Sequence, residues 1–190
     1  MGTTKGLTVR YLVDARLSRF TVQAFAGGLL SAFAHNPKFS VRDIASEVSV
    51  DPEDPSSAAL SMEIRPDSLH LTDNVNDKDR REIERVMREE ALEAASYPAI
   101  SFQTVAVSST RTGGGQYSLD LKGNLTLHGL TRPLTIPTRV VFMGDTMRAF
   151  GEFSLKQSDY NIKLVAVAGG VIKVKDELKL SFDLVARQPE

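Results

Sequence analysis

The chain has 190 residues, 42% of them apolar and 25% charged, an ordinary globular composition with enough material for one substantial core. Disorder and fibrous repeats are excluded, and the absence of cysteine removes disulfides, thiolate-held zinc, haem thiolate, iron–sulfur clusters and a thiol nucleophile. Twenty-three basic against 24 acidic residues leave a net charge of −1, no field for gripping a nucleic-acid backbone, so a charge-neutral small molecule or a protein partner suits this surface better.

In chain order, the first strand pattern is Phe20/Val22/Ala24, with apolar side chains at every second position. It leads into Ala24 to Ala34, AFAGGLLSAFA, which superficially copies a signal peptide. Asp14 and strand-like alternation before it, its late start and its two glycines argue against that, and an eleven-residue run is too short to span a bilayer. The expectation is therefore no integral membrane segment and a cytoplasmic location, or a periplasmic one if an export signal precedes this sequence. Val48/Val50 end a further, irregular strand, Asp51-Pro52 through Pro55-Ser56 read as a turn, and Leu60/Met62/Ile64 alternate again.

Asp77 to Ala95 breaks the rhythm, because Ile83, Val86, Met87, Ala91 and Ala94 recur at helical spacing among strong helix formers. Asn76 is the expected N-cap, Asp79 puts an acid in the first turn, and Tyr97-Pro98 is the expected stop. The charge run reads as a solvated outer face laced with pairs such as Glu84 and Arg88. Its narrow apolar stripe suits a helix lying across a barrel mouth or flank.

Strand patterns then resume at Ile100/Phe102 and become clearest from Gln116 to His128, where Tyr117, Leu119, Leu121, Gly123, Leu125 and Leu127 share one face. Leu134/Ile136/Val140/Phe142 and Met147/Ala149/Phe153/Leu155 follow, and Leu178, Leu180, Phe182, Leu184 and Ala186 close the chain. Turns are marked by Gly113-Gly114-Gly115, His128-Gly129, Gly144-Asp145 and Gly169-Gly170. Strands and hairpins at this spacing predict an all-β, mainly antiparallel sheet, closed as a barrel or folded as a sandwich.

Catalytic patterns are missing: there is no Gly-x-Ser-x-Gly elbow, no phosphate loop and no His-Glu-x-x-His helix. His35, His70 and His128 lack any short metal-ligand spacing, and Gly113-Gly114-Gly115 reads as a hairpin tip rather than an anion nest. No metal and no cofactor are expected. What the strands offer is a smooth apolar face, and alternation is the same whether the barrel is filled or hollow enough to hold one ligand.

The string Leu125-Thr126-Leu127-His128-Gly129-Leu130-Thr131-Arg132-Pro133-Leu134 resembles the signature hairpin of the YceI-like family, small antiparallel barrels related in shape to lipocalins. Tyr11-x-x-Asp14, Ser18-x-Phe20, Asn74 to Asp79, Tyr97-Pro98-x-Ile100-x-Phe102, Gly151-x-Phe153 and Ser158-Asp159-Tyr160 fall in the family's order. The chain departs from it at Arg16-Leu17, where a His is usual, at Gln157, where an Arg is common, at Tyr160-Asn161, where Phe-Gly is usual, and in Ala34-His35-Asn36-Pro37.

The resemblance implies a single domain over residues 1–190, with a flexible start at 1–6, built as an elongated eight-stranded lipocalin-like barrel with one main helix at about 77–95. It also implies binding, sequestration or transport of a polyisoprenoid, an isoprenoid quinone or a fatty acid or amide in the lumen, without catalysis. The lumen candidates are Phe20, Val22, Phe102, Leu119, Leu121, Leu125, Phe142, Phe153, Leu180 and Phe182, with His128 and Arg132 as polar contacts. Two rivals stay open: a filled-barrel, stress-linked interaction module, and an enzyme using His128 and Arg132 on a lipid or quinone. The partners expected are an apolar small molecule or lipid and no nucleic acid, with a homodimer left open.

Overall fold

The computed structural model describes residues 7–27, 36–167 and 172–189. The flexible start expected at 1–6, the stretch 28–34 of the signal-like run, His35 and the Gly169-Gly170 turn lie outside the described residues.

The strands are β1 (Val9–Val13), β2 (Arg19–Gln23), β3 (Ala26–Gly27), β4 (Lys38–Val41), β5 (Ile44–Asp51), β6 (Asp54–Ile64) and β7 (Leu69–Leu71) before the helix α1 (Asp77–Arg85), then β8 (Ile100–Gly113), β9 (Gln116–Leu127), β10 (Leu130–Met143), β11 (Thr146–Lys156), β12 (Ala166–Val167), β13 (Ile172–Val174) and β14 (Glu177–Arg187). Antiparallel pairing runs β1–β5–β6–β8–β9–β10–β11–β14 and returns from β14 to β1, which closes an eight-stranded barrel. β9 alternates buried and exposed residues along its length, as its sequence demands. The turn expected through Pro55-Ser56 is shorter: only Pro52 and Glu53 turn, and Asp54 already begins β6.

Closure leaves a second tier at one end. β1 and β2 are successive halves of one interrupted strand, both paired with β14. The interruption is fastened to Val185: Asp14 N–H donates to its carbonyl at 2.8 Å, and its own N–H donates to Ser18 Oγ at 3.0 Å. Ser18 of the sequence pattern thus replaces a ladder bond where the strand breaks, and the Asp14 side chain holds the turn between them by accepting from Arg16 N–H at 2.9 Å. β2 pairs β4 and β4 pairs β7, while β3, β12 and β13 form a small separate sheet.

The outer edge of β7 meets a helix instead of a strand. Leu71 N–H donates to Glu84 Oε1 at 2.9 Å, Arg80 donates to Leu71 O, and Arg88 donates to Leu69 O at 3.0 Å. Arg80, Glu84 and Arg88, four residues apart, lie on one helical face, so this face satisfies a sheet edge that would otherwise stay unpaired. Glu84 and Arg88 are therefore a correction to the solvated-face expectation, with the Glu84 side chain only 13% exposed.

The helix also stops early. Asn76 caps it as expected, accepting from Asp79 N–H at 2.9 Å, but Val86–Ala91 widens into a π-helix. Glu93 then turns left-handed at φ 44°, and Ala94 N–H reaches back to Arg88 O at 2.8 Å, a helix-ending pattern that comes before Tyr97-Pro98. Ala94 thus lies past the end of the apolar stripe assigned to it.

Candidate functional site

The inward faces of the barrel enclose a cavity of about 580 Å³. Its wall is aliphatic and aromatic almost throughout, because each strand turns alternate apolar residues to it. Polar side chains on the wall include Ser46, Thr138, Gln157, Asp73 and Glu82. Thr138 Oγ1 is tied to Ile136 O at 3.2 Å and Gln157 Nε2 to Lys175 O at 2.9 Å, whereas Ser46 Oγ is buried without a partner. The helix closes one flank with Ile83, Val86, Met87 and Leu92.

Two glycines seat the rings that shape the wall. A Cβ on Gly123 would lie 2.5 Å from the Phe102 ring and collide with Gln103 O. Gly151, register partner of Phe182, lies under that ring, 2.9 Å from where its Cβ would be. Both glycines face inward, so their missing side chains are what lets Phe102 and Phe182 lie flat against the wall.

Phe20, Val22, Phe102, Leu119, Leu121, Leu125, Phe153, Leu180 and Phe182 all line the cavity. Phe142 does not; it packs between Tyr11, 6.1 Å away between ring centroids, and Tyr117, 6.0 Å away. His128 and Arg132 are also off the wall. His128 and Gly129 turn the β9–β10 hairpin at φ 52° and 74°, the left-handed pair of a tight two-residue turn. The His128 ring sits 4.3 Å from the Tyr97 ring, with Nδ1 3.1 Å from Tyr160 O and Nε2 3.5 Å from Glu93 Oε2. A Cβ on Gly129 would strike the Tyr97 ring at 2.7 Å. His128-Gly129 and Tyr97 therefore belong to one clasp, which joins the hairpin, the end of the helix and the Gln157–Tyr160 turn. Arg132 is exposed, and its charge partly offsets the burial that pushes the Tyr160 phenol above its ordinary value.

Wall residues that pattern reading did not nominate include Phe39, Leu69, Leu71 and the helix contacts. β4 and β7 are four and three residues long, too short to show a period. The helical stripe itself is legible in the sequence, and its narrow apolar face fits the flank it occupies.

A family model for the YceI-like domain matches residues 11–186. The chain belongs to the YceI-like family. It is 25% identical over 192 residues to a UPF0312 protein of Pseudomonas savastanoi pv. phaseolicola, covering 97% of this chain and 90% of that one. It is 31% identical over 107 residues to Protein YceI of Salmonella arizonae, covering 50% of this chain and 52% of that one. Among solved structures, Burkholderia cenocepacia BcnA superposes with a TM-score of 0.69 at 22% identity, over 91% of this chain and 98% of that one. A polyisoprenoid binding domain from Saccharophagus degradans superposes at 0.66 with 14% identity, over 95% and 99%. At these identities the structural likeness is one of fold. Two YceI-like departures have a visible setting: Asn161 holds φ 55°, a left-handed conformation suited to the family's Gly, and Gln157 puts an uncharged side chain on the cavity wall.

Proposed function

We propose that this YceI-like chain binds a long apolar chain, of polyisoprenoid or fatty type, in its barrel lumen and carries or sequesters it without making or breaking bonds. The observation that carries the reading is the apolar cavity of about 580 Å³, because a filled-barrel interaction module has no use for it. At ~30 Å³ per heavy atom, this volume holds about 20 such atoms. Each buried methylene contributes about 0.8 kcal/mol, so even after the cost of association a chain of that size has enough left for micromolar binding, about −8 kcal/mol. The Saccharophagus degradans neighbour, described as a polyisoprenoid binding domain, supports the same ligand class. The enzyme reading loses its nominated groups, since His128 and Arg132 stand off the wall.

The test is displacement of a pyrene-labelled long-chain alcohol by geranylgeraniol, an uncharged four-unit prenol. Saturable one-to-one displacement at micromolar concentration is expected. Absence of saturable binding by either molecule would refute the proposal.

A further inference from the structure

We infer that an aromatic floor of Tyr11, Tyr117 and Phe142 sets the longest chain the lumen accepts, and that Phe142 is the residue deciding that length. The inference rests on the binding reading above. None of the three lines the cavity, yet the inward residue next along each strand does: Val13 beyond Tyr11, Leu119 beyond Tyr117 and Val140 before Phe142. Met147, the register partner of Phe142, also lines it. Along β1, β9 and β10 the lining therefore stops at these rings.

The rings are locked together and to the end of the barrel. Tyr11 is fully buried and Tyr117 is 5% exposed. Tyr117 Oη donates to Glu53 O at 3.4 Å, in the β5–β6 turn, and Gln188 Nε2 donates to Tyr11 Oη at 3.4 Å, beyond the end of β14. Both phenols are thus fastened outward, away from the lumen. Phe142 lies between them at interplanar angles of 50° and 75°, held by packing alone. It is the one member of the floor that can be cut back without stranding a polar group.

At the opposite end Asp73, Val75 and Glu82 line the cavity, and Val75 and Glu82 also border an adjoining polar recess with Asn74, Asn76 and Asp79. That asymmetry orients the ligand: the apolar tail runs to the floor and any polar end stays among the polar groups. Once the tail meets the rings, further methylenes remain in water and add nothing.

The test is affinity against length for unbranched primary alcohols of about 12 to about 30 carbons, delivered from cyclodextrin. Affinity should rise about fourfold per methylene up to about 20 heavy atoms and then level off. Phe142→Ala removes about six heavy atoms and should move the break to about 26, while Phe142→Leu, a milder cut, should move it by about three. Phe150→Ala, whose ring stacks on Arg148 away from the cavity, should leave the break where it is. Binding with no break, or a break that stays put in both Phe142 variants, overturns the inference while leaving the binding reading intact. No binding at any length instead overturns the binding reading itself.

Discussion

Truncating Glu84 to Ala removes the carboxylate that stands in for a missing strand. In the folded chain Glu84 Oε1 accepts from Leu71 N–H at 2.9 Å and Oε2 accepts from Arg88 at 3.2 Å, with His70 Nδ1 3.7 Å from Oε1. The substitution leaves Leu71 N–H on a buried edge without a partner, and a hydrogen bond to a charged group is worth about 1.5–3 kcal/mol. The largely shielded pair with Arg88 adds about 1 kcal/mol or less, since Arg88 keeps its bond to Leu69 O. Glu84→Ala should therefore cost about 2–4 kcal/mol, against about 0.3–0.5 kcal/mol for a pair on a solvated helix face. Glu84→Gln keeps an acceptor for Leu71 and should cost about half as much. Urea unfolding gives the free energies, and hydrogen exchange at Leu71 localises the effect. A Glu84→Ala variant within about 0.5 kcal/mol of the parent, with Leu71 still protected, would mean that the helix does not hold this edge.

Leu121→Trp adds about six heavy atoms to the wall of a hollow lumen, so long alcohols should lose most of their affinity while the melting temperature holds; a loss of about 1–3 kcal/mol in stability would instead indicate a filled core. Gly123→Ala collides with Gln103 O and the Phe102 ring, and should cost about 1–3 kcal/mol or more while displacing the ring into the cavity, read by melting and by reduced probe binding. Asp183, held low by hydrogen bonds from Arg148, and Asp176, held low by the Ser158 hydroxyl and amide, both have depressed carboxyl pKa values. Their contribution is present above the unfolded carboxylate value of about 3.9 and is lost as pH falls through the folded values, so stability should drop below about pH 4. Asp176→Asn should flatten part of that drop in a pH series of thermal melts.

Where a strand runs long and faces water on one side, its role was written in the alternation. β9 and β14 put the same residues inward in the sequence and in the structure, five of the ten nominated wall positions, and Phe20, Val22, Phe102 and Phe153 on β2, β8 and β11 join them on the wall. Phe142 has the same period as its neighbours, but period cannot tell a wall residue from one closing the end. Glu84 and Arg88 have the spacing of an ordinary surface pair, and only the position of β7 turns them toward a sheet edge. His128 belongs to a legible motif and a legible turn whose role is not legible: its contacts with the Tyr97 ring and Tyr160 O tie it to residues about thirty positions away. Short strands such as β4 and β7 have no period to read, so the flank of the cavity came into view only through pairing.

Native mass spectrometry of chain purified without detergent, beside a Leu121→Trp/Leu125→Trp double variant, tests the central claim most directly. A one-to-one adduct with an apolar chain on the parent, missing from the folded double variant, is the predicted result. The same adduct at equal occupancy on both proteins would place the ligand outside the lumen and contradict the account.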